Sequence, residues 1–186
     1  MDQAAVFIDG GYLSSVLRQF GKPRIRYEQL ARWACEGYKL YRVYYYDCPP
    51  YQSSVPSKEE RERVKSAQSF FKALERLDRF VVRLGRLAYR GTDDDGNPVF
   101  VQKRVDLQLG LDIATLVTER RADLIVLISG DSDLIPAVEM ARNRSVLVRL
   151  IHGPKGTYHQ DLWDLVDERR EITKDVLQAL SADQDS

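Results

Sequence analysis

The sequence is poor in the residues that build disulfide frameworks and zinc sites. It has only two cysteines and two histidines in 186 residues. Cys35 and Cys48 form no CxxC pair, which leaves reduced thiols as the expectation. His152 and His159 flank the loop "GPKGTY", and no second ligand has the spacing of a zinc site. Long apolar runs are also missing. Nothing approaches the roughly 20 residues that a membrane span needs, so no membrane partner is expected. The opening residues lack a basic n-region, so no secretory leader is expected. Net charge is absent as well, with 28 Lys and Arg against 28 Asp and Glu. A nucleic-acid site would therefore have to be a local patch. No internal repeat is visible. These absences leave a soluble, cytoplasmic globular protein. Its length fits one domain, taken as residues 1–181 with a frayed tail at 182–186.

What is present is an alternation of apolar strands and helical patterns. Ala4 to Ile8 reads as a buried strand that ends at Asp9-Gly10-Gly11. Helical spacing follows over Tyr12 to Phe20 and again over Tyr27 to Cys35. Leu40 to Tyr46 is rich in tyrosine and valine and reads as a core strand. Alternation puts Tyr44 and Tyr46 on one face, Val43 and Tyr45 on the other. Ser57 and Glu60 make a capping box for a helix expected to reach about Leu77. Phe80 to Ala88 alternates like one strand; "TDDDGN" turns the chain and Val99 to Gln102 returns it, which predicts a β-hairpin. Val105 to Arg120 is helical, Leu124 to Ile128 is a buried strand, Leu134 to Arg142 is helical and Val146 to Ile151 is a further buried strand. Trp163 to Val166 and Val176 to Leu180 are expected as closing helices. The pattern predicts an α/β domain with a mostly parallel sheet. Ligands then bind beyond the carboxyl ends of the strands, where strand order reverses.

Acids gather at those predicted ends. Asp9 follows the first strand, Asp106 and Asp112 lie in "KRVDLQLGLD", and Asp131 and Asp133 lie in "SGDSD". Neighbouring carboxylates repel unless a cation joins them or one keeps a proton. Mg²⁺ and similar hard cations take oxygen ligands and leave positions for water and phosphate. That chemistry suits metal-assisted hydrolysis of a phosphodiester. About 100° per residue puts Val105, Leu109, Asp112 and Leu116 on one helical face, so Asp112 interrupts an apolar stripe. Asp106 lies about 120° away, at the helix start. Asp106 is therefore favoured as a metal ligand and Asp112 as a supporting acid. Simpler roles compete: Asp9 as a helix cap, Asp106 and Asp133 as first-turn acids, Asp131 or Ser132 as a cap. Asp47 ends the tyrosine strand but is left out of the site.

"VFIDGGYL", "KRVDLQLGLDIATL" and "LISGDSDLIPAVEMAR" resemble the NYN domain family, allied to the PIN-like nucleases, and most of all its bacterial branch related to the LabA and DUF88 proteins. The resemblance spans roughly Ala4 to Asp167. It implies a Rossmann-like (PIN-like) three-layer sandwich, with the hairpin as an insertion. It also implies an Mg²⁺ or Mn²⁺ centre and hydrolysis of RNA. By resemblance, Asp9, Asp106, Asp131 and Asp133 are the catalytic metal-site acids. Asp112 and Asp167 match further acidic positions, and Lys103 matches a lysine ahead of the middle aspartate. Many relatives read Asp-Gly-x-Asn where this chain has Tyr12. That tyrosine would stack on a base, bond a phosphate, or fill the pocket mouth and weaken catalysis. Gly10 and Gly11 are expected to leave room near a phosphate and to permit unusual turn angles. Tyr12, Lys103, Arg104 and Ser132 are the expected substrate contacts.

The leading expectation is a divalent-metal-dependent endoribonuclease with RNA as its partner. A non-catalytic RNA- or protein-binding module is the alternative, favoured by Tyr12. A small-molecule phosphohydrolase is a third. An aspartyl-phosphate version of it would want an acid two residues after Asp9, where Gly11 stands. A homodimer through the hairpin is an open option.

Overall fold

The computed structural model describes residues 2–181. The tail expected at 182–186 lies outside the described residues. In chain order the elements are β1 (Gln3–Asp9), α1 (Gly10–Gln19), α2 (Tyr27–Ala34), β2 (Lys39–Asp47), α3 (Lys58–Glu75), β3 (Phe80–Leu84), β4 (Arg86–Thr92), β5 (Pro98–Lys103), α4 (Val105–Thr118), β6 (Leu124–Ile128), α5 (Ile135–Asn143), β7 (Leu147–His152), α6 (Gln160–Leu165), β8 (Glu168–Glu171) and α7 (Lys174–Ala179). A single 3₁₀ turn, Ser132–Leu134, precedes α5.

Six strands form one parallel sheet in the order β3-β2-β1-β6-β7-β8. All their carboxyl ends therefore lie on one edge. The chain works outward from β1 through β2 to β3, then returns to β6 and works outward the other way. Strand order reverses between β1 and β6, which is where such sheets open a crevice for ligands.

Helices cover both faces, giving the expected Rossmann-like sandwich. Ala4, Val6 and Ile8 of β1 and Val43 and Tyr45 of β2 pack with residues of α1, α2, α3 and α7. Ala5, Phe7, Tyr44 and Tyr46 point the other way, toward α4, α5 and α6. The period of two in the tyrosine strand thus feeds both layers. Phe7 stacks on Tyr44 with centroids 5.0 Å apart. Tyr45 meets Phe70 edge-on at 5.7 Å on the opposite face. The first pair joins β1 to β2 across the sheet, and the second seats α3 against its other face.

Two expectations need correction. Phe80 to Ala88 is not one strand. Phe80 to Leu84 joins the main sheet beside β2, and the chain then breaks at Gly85. A Cβ there would stand 2.6 Å from the Lys103 carbonyl oxygen and 2.6 Å from Val105 Cγ2. Only Arg86 to Thr92 forms the hairpin, paired antiparallel with Pro98 to Lys103 as a separate ribbon. The second correction is β8, which was not foreseen. Its sequence, Glu-Arg-Arg-Glu, carries no apolar signal, as suits an edge strand. Arg149 of β7 anchors it, pairing with Glu168 at 2.6 Å and donating to the Ala34 and Glu36 carbonyls.

Candidate functional site

The carboxyl edge of the sheet concentrates the acids. Asp9 ends β1 and Asp47 ends β2. Ser129 to Asp131 follow β6 directly, and Asp106 lies in the first turn of α4. Asp9, Asp47 and Asp131 line one open cleft of about 600 Å³, with Tyr12, Ser14 and Arg18 along its α1 side.

Beside that cleft, one carboxylate oxygen each from Asp106, Asp131 and Asp133 lies within 4.8 Å of the other two. Three oxygens at that spacing match the needs of a hard divalent cation, which takes oxygen ligands at about 2.0–2.6 Å and completes its shell with water. The donor set fits Mg²⁺ or Mn²⁺ and lacks the nitrogen and sulfur ligands typical of structural zinc sites. Asp9 is not in this trio; it lines the neighbouring cleft together with Asp131.

The link between Asp9 and the trio is Ser129, which is fully buried at the end of β6. Its hydroxyl donates to Asp9 Oδ2 at 3.2 Å and accepts from the Asp131 amide at 3.3 Å. A helix cap and a turn cap each engage one further oxygen, on Asp9 and on Asp131. Asp9 Oδ1 accepts the Tyr12 amide at 3.0 Å at the start of α1. Asp131 Oδ1 accepts the Asp133 amide at 2.9 Å and caps the 3₁₀ turn.

The electrostatics follow from this crowding. Burial pushes the Asp9 carboxyl above its usual range, and Asp106 and Asp47 add repulsion, against hydrogen bonds from Tyr12 and Ser129. Burial is also the main cause for Asp106, followed by the charges of Asp131 and Asp133. Asp47 is raised by burial, with the Cys48 amide and the Tyr45 hydroxyl acting in the other direction. An edge that makes ionisation of several acids costly is an edge that a cation would stabilise.

The family pattern of the NYN domain matches residues 3–169. The chain belongs to the NYN domain family. Among solved structures, a Vibrio parahaemolyticus protein of unknown function is similar at 20% identity, with 94% of each chain covered and a TM-score of 0.66. That likeness extends the fold over nearly the whole chain. No curated protein matches the sequence.

Not every expected site residue of this NYN domain reaches the acids. Asp112 instead accepts from the Tyr46 hydroxyl at 2.7 Å and pairs with Arg83 at 3.2 Å. Its place beside an apolar stripe is explained by those two partners. Asp167 lies by the amino end of β7, on the edge opposite the cleft. There it accepts from the Val148 amide at 2.9 Å and from Arg142 at 3.2 Å. Both acids tie elements together.

Tyr12 is committed too. Its hydroxyl accepts the Gly153 amide at 3.0 Å and shares a 3.2 Å bond with Thr157. It struts α1 against the loop after β7 rather than presenting a free hydroxyl to a phosphate. Gly10 and Gly11 are helical, not turn residues. A Cβ on Gly10 would lie 2.4 Å from the Tyr45 hydroxyl and 2.7 Å from the Tyr46 carbonyl oxygen, so that glycine makes room for β2.

Lys103 and Arg104 are exposed beside the α4 start, and Arg104 adopts a left-handed φ of 76° as the chain turns into the helix. Ser132 is half-buried between the two acids of the 3₁₀ turn. His152 is structural: its Nδ1 bonds the Gly153 carbonyl and its Nε2 accepts from Trp163, which requires the neutral Nδ1–H form. Ser129 is not among the residues expected from the sequence, and Asp47 was left out of the expected site. Asp47 had a visible signal, since it ends its strand as Asp9 does.

Proposed function

We propose that this NYN domain is a divalent-metal-dependent ribonuclease that hydrolyses RNA phosphodiester bonds with Mg²⁺ or Mn²⁺, as a cytoplasmic enzyme. The observation that carries the reading is the trio of Asp106, Asp131 and Asp133 oxygens within 4.8 Å at the reversal of strand order. A divalent cation held there would supply positive charge that offsets the carboxylates and polarises both a water and the phosphoryl oxygens. Asp9, which lines the same cleft as Asp131, completes the acidic set, and Ser129 joins its carboxylate to the Asp131 backbone. Lys103 and Arg104, exposed just before Asp106, are the proposed phosphate contacts, with Ser132 as a further one. Water adds to phosphorus as the bond to the 3′-oxygen breaks, and no protein nucleophile is required.

The test is Asp131→Asn. Asparagine keeps the Oδ1 acceptor that caps the 3₁₀ turn, so the fold should survive while a negative ligand is lost. Metal-dependent cleavage of labelled single-stranded RNA should fall to the chelator-treated background, with melting unchanged. Undiminished cleavage by the variant would sink the assignment. The second reading, a non-catalytic binding module, is favoured by Tyr12, whose hydroxyl is already spent on Gly153 and Thr157. Calorimetric titration separates the two. Absent Mn²⁺ binding with RNA affinity retained supports the module.

A further inference from the structure

The β4–β5 ribbon leaves the sheet at Gly85, on the same edge as the acids, and runs directly into α4 and Asp106. It carries an aromatic cluster that belongs to neither core. Tyr51, from the loop after β2, lies 4.9 Å from Phe100 and 6.3 Å from Tyr89, and Tyr89 and Phe100 lie 5.9 Å apart across the ribbon. These rings are 37%, 36% and 51% exposed for Tyr51, Phe100 and Tyr89. Three large rings gathered and left in water are costly unless something covers them.

The ribbon's other face carries charge of one sign. Arg86 lies directly opposite Lys103 in the antiparallel register, and Arg104 follows. Like charges directly opposite one another destabilise a strand pair. None of the three cations has an acidic partner among the described residues. The ribbon's acids sit instead at the tip, where Asp93 is used up holding the turn by accepting from the Asp95 and Asn97 amides. The ribbon thus offers π-faces and unpaired cations together. The rings and the cations lie on opposite faces, so a single strand must wrap the ribbon's edge to set bases against one and phosphates against the other.

We propose that the ribbon and Tyr51 form a binding arm for an unpaired RNA strand. Bases stack on Tyr51, Tyr89 and Phe100. Phosphates meet Arg86, Lys103 and Arg104, and the strand is led from there to the acids. Stacking needs an open π-face on each base, so a duplex is excluded from the arm. This rests on the ribonuclease reading for its purpose, but its binding step can be measured without cleavage.

The experiment is fluorescence anisotropy of a labelled single-stranded oligouridylate in chelator, with the full chain. Tyr89→Ala/Phe100→Ala should raise Kd by about a hundredfold, since each of the two stacked bases contributes enough for about a tenfold change. Tyr89→Trp/Phe100→Trp should retain affinity, because a larger ring still stacks. Arg86→Glu should flatten the dependence of log K on log salt by about 0.7 or more, the loss of at least one phosphate contact to a single strand. Arg104→Gly relieves the left-handed φ. It should weaken binding without lowering the melting temperature, which separates contact from folding. A small phosphodiester substrate, too short to reach the arm, should be cleaved at the parent rate by the aromatic double variant. Unchanged oligonucleotide affinity in both the aromatic variant and Arg86→Glu overturns the arm. So does a parent dimer in sedimentation that the aromatic variant converts to monomer with RNA affinity intact, which makes the rings an interface between copies. If the parent cleaves no RNA while the variants still lose binding, the ribonuclease reading fails and the arm stands.

Discussion

Gly10→Ala and Gly110→Ala make the same chemical change in two helices, and the structure gives them opposite signs. In α4, a Cβ on Gly110 meets nothing within 4 Å. The change there removes only glycine's excess backbone freedom, worth about 0.5–1 kcal/mol of stabilisation. In α1, a Cβ on Gly10 would stand 2.4 Å from the Tyr45 hydroxyl, 2.6 Å from its Cζ and 2.7 Å from the Tyr46 carbonyl oxygen. Tyr45 has a side chain that can shift, but the Tyr46 carbonyl belongs to β2, which is held between β1 and β3. Overpacking of this kind costs about 1–3 kcal/mol. Moving the Tyr45 ring also strains the 3.0 Å bond from its hydroxyl to Asp47, a bond to a carboxylate worth about 1.5–3 kcal/mol. Even with partial relief and some helix-propensity gain, net destabilisation of about 2–4 kcal/mol is expected, lowering Tm by about 5–15 °C in a chain of this size. Gly110→Ala should raise Tm by about 1–4 °C. Thermal melts followed by circular dichroism decide the matter. A Gly10→Ala protein that melts at or above the parent refutes the reasoning, because it shows that the close approach of α1 to β2 is not real.

Tyr12→Phe should cost about 1–2 kcal/mol through its two lost hydrogen bonds and speed amide exchange in the loop after β7, while cleavage stays within a few-fold of the parent. Cleavage lost more than about a hundredfold, with melting unchanged, shows that the hydroxyl touches substrate. Asp112→Ala removes the partner of Tyr46 and Arg83 and should destabilise by about 1–3 kcal/mol; metal titration of the variant should match the parent, and lost metal binding returns Asp112 to the site. Asp47→Asn tests the electrostatics. Burial raises the Asp47 carboxyl above its ordinary 3.8, so the protonated form is favoured by the fold. Its stabilising effect is complete below 3.8 and is lost as pH rises through the raised value. Asparagine stays neutral, so the melting temperature of the variant minus that of the parent should grow with pH across that window. A difference that stays flat refutes the direction.

Elements buried on both faces were legible because burial leaves a strong mark in sequence. β6 is buried along its whole length, and its run of five apolar residues admits little else. The tyrosine strand was legible by its period of two, since each face needed its own aromatic layer. That same period hid the break at Gly85. Apolar residues recur on both sides of it, at Phe80, Val82 and Leu84 and again at Leu87 and Ala88, and periodicity does not say which neighbour a strand pairs with. β8 was hidden for a different reason. Its four residues are all charged, and it is a strand because Arg149 and Glu168 draw it to β7, a contact between distant segments. At the site, Asp106, Asp131 and Asp133 were readable as acids at predicted element ends. Ser129 was not, because a buried serine looks like any other small residue until its two partners are known. Asp112 was correctly placed beside an apolar stripe, but its cationic partner, Arg83, comes from a strand whose position depended on the misread hairpin.

Capping and metal binding were set against each other for Asp9 and Asp131, and the structure shows why they are not rivals. A carboxylate has two oxygens. In Asp131, Oδ1 accepts the Asp133 amide, and that cap fixes the orientation of the side chain. Asp9 differs because both its oxygens are engaged, one by the Tyr12 amide and one by the Ser129 hydroxyl. Each oxygen also has more than one lone pair, so these bonds leave acceptor capacity. The sheet's reversal of order brings β1 and β6 side by side, and Ser129 then couples the two capped acids through a single hydroxyl. Breaking that coupling therefore acts on both strands at once. The acids at this edge depend on local turns for direction and on sheet topology for proximity. That division explains why single residues suggested only caps, while the set suggests a metal centre.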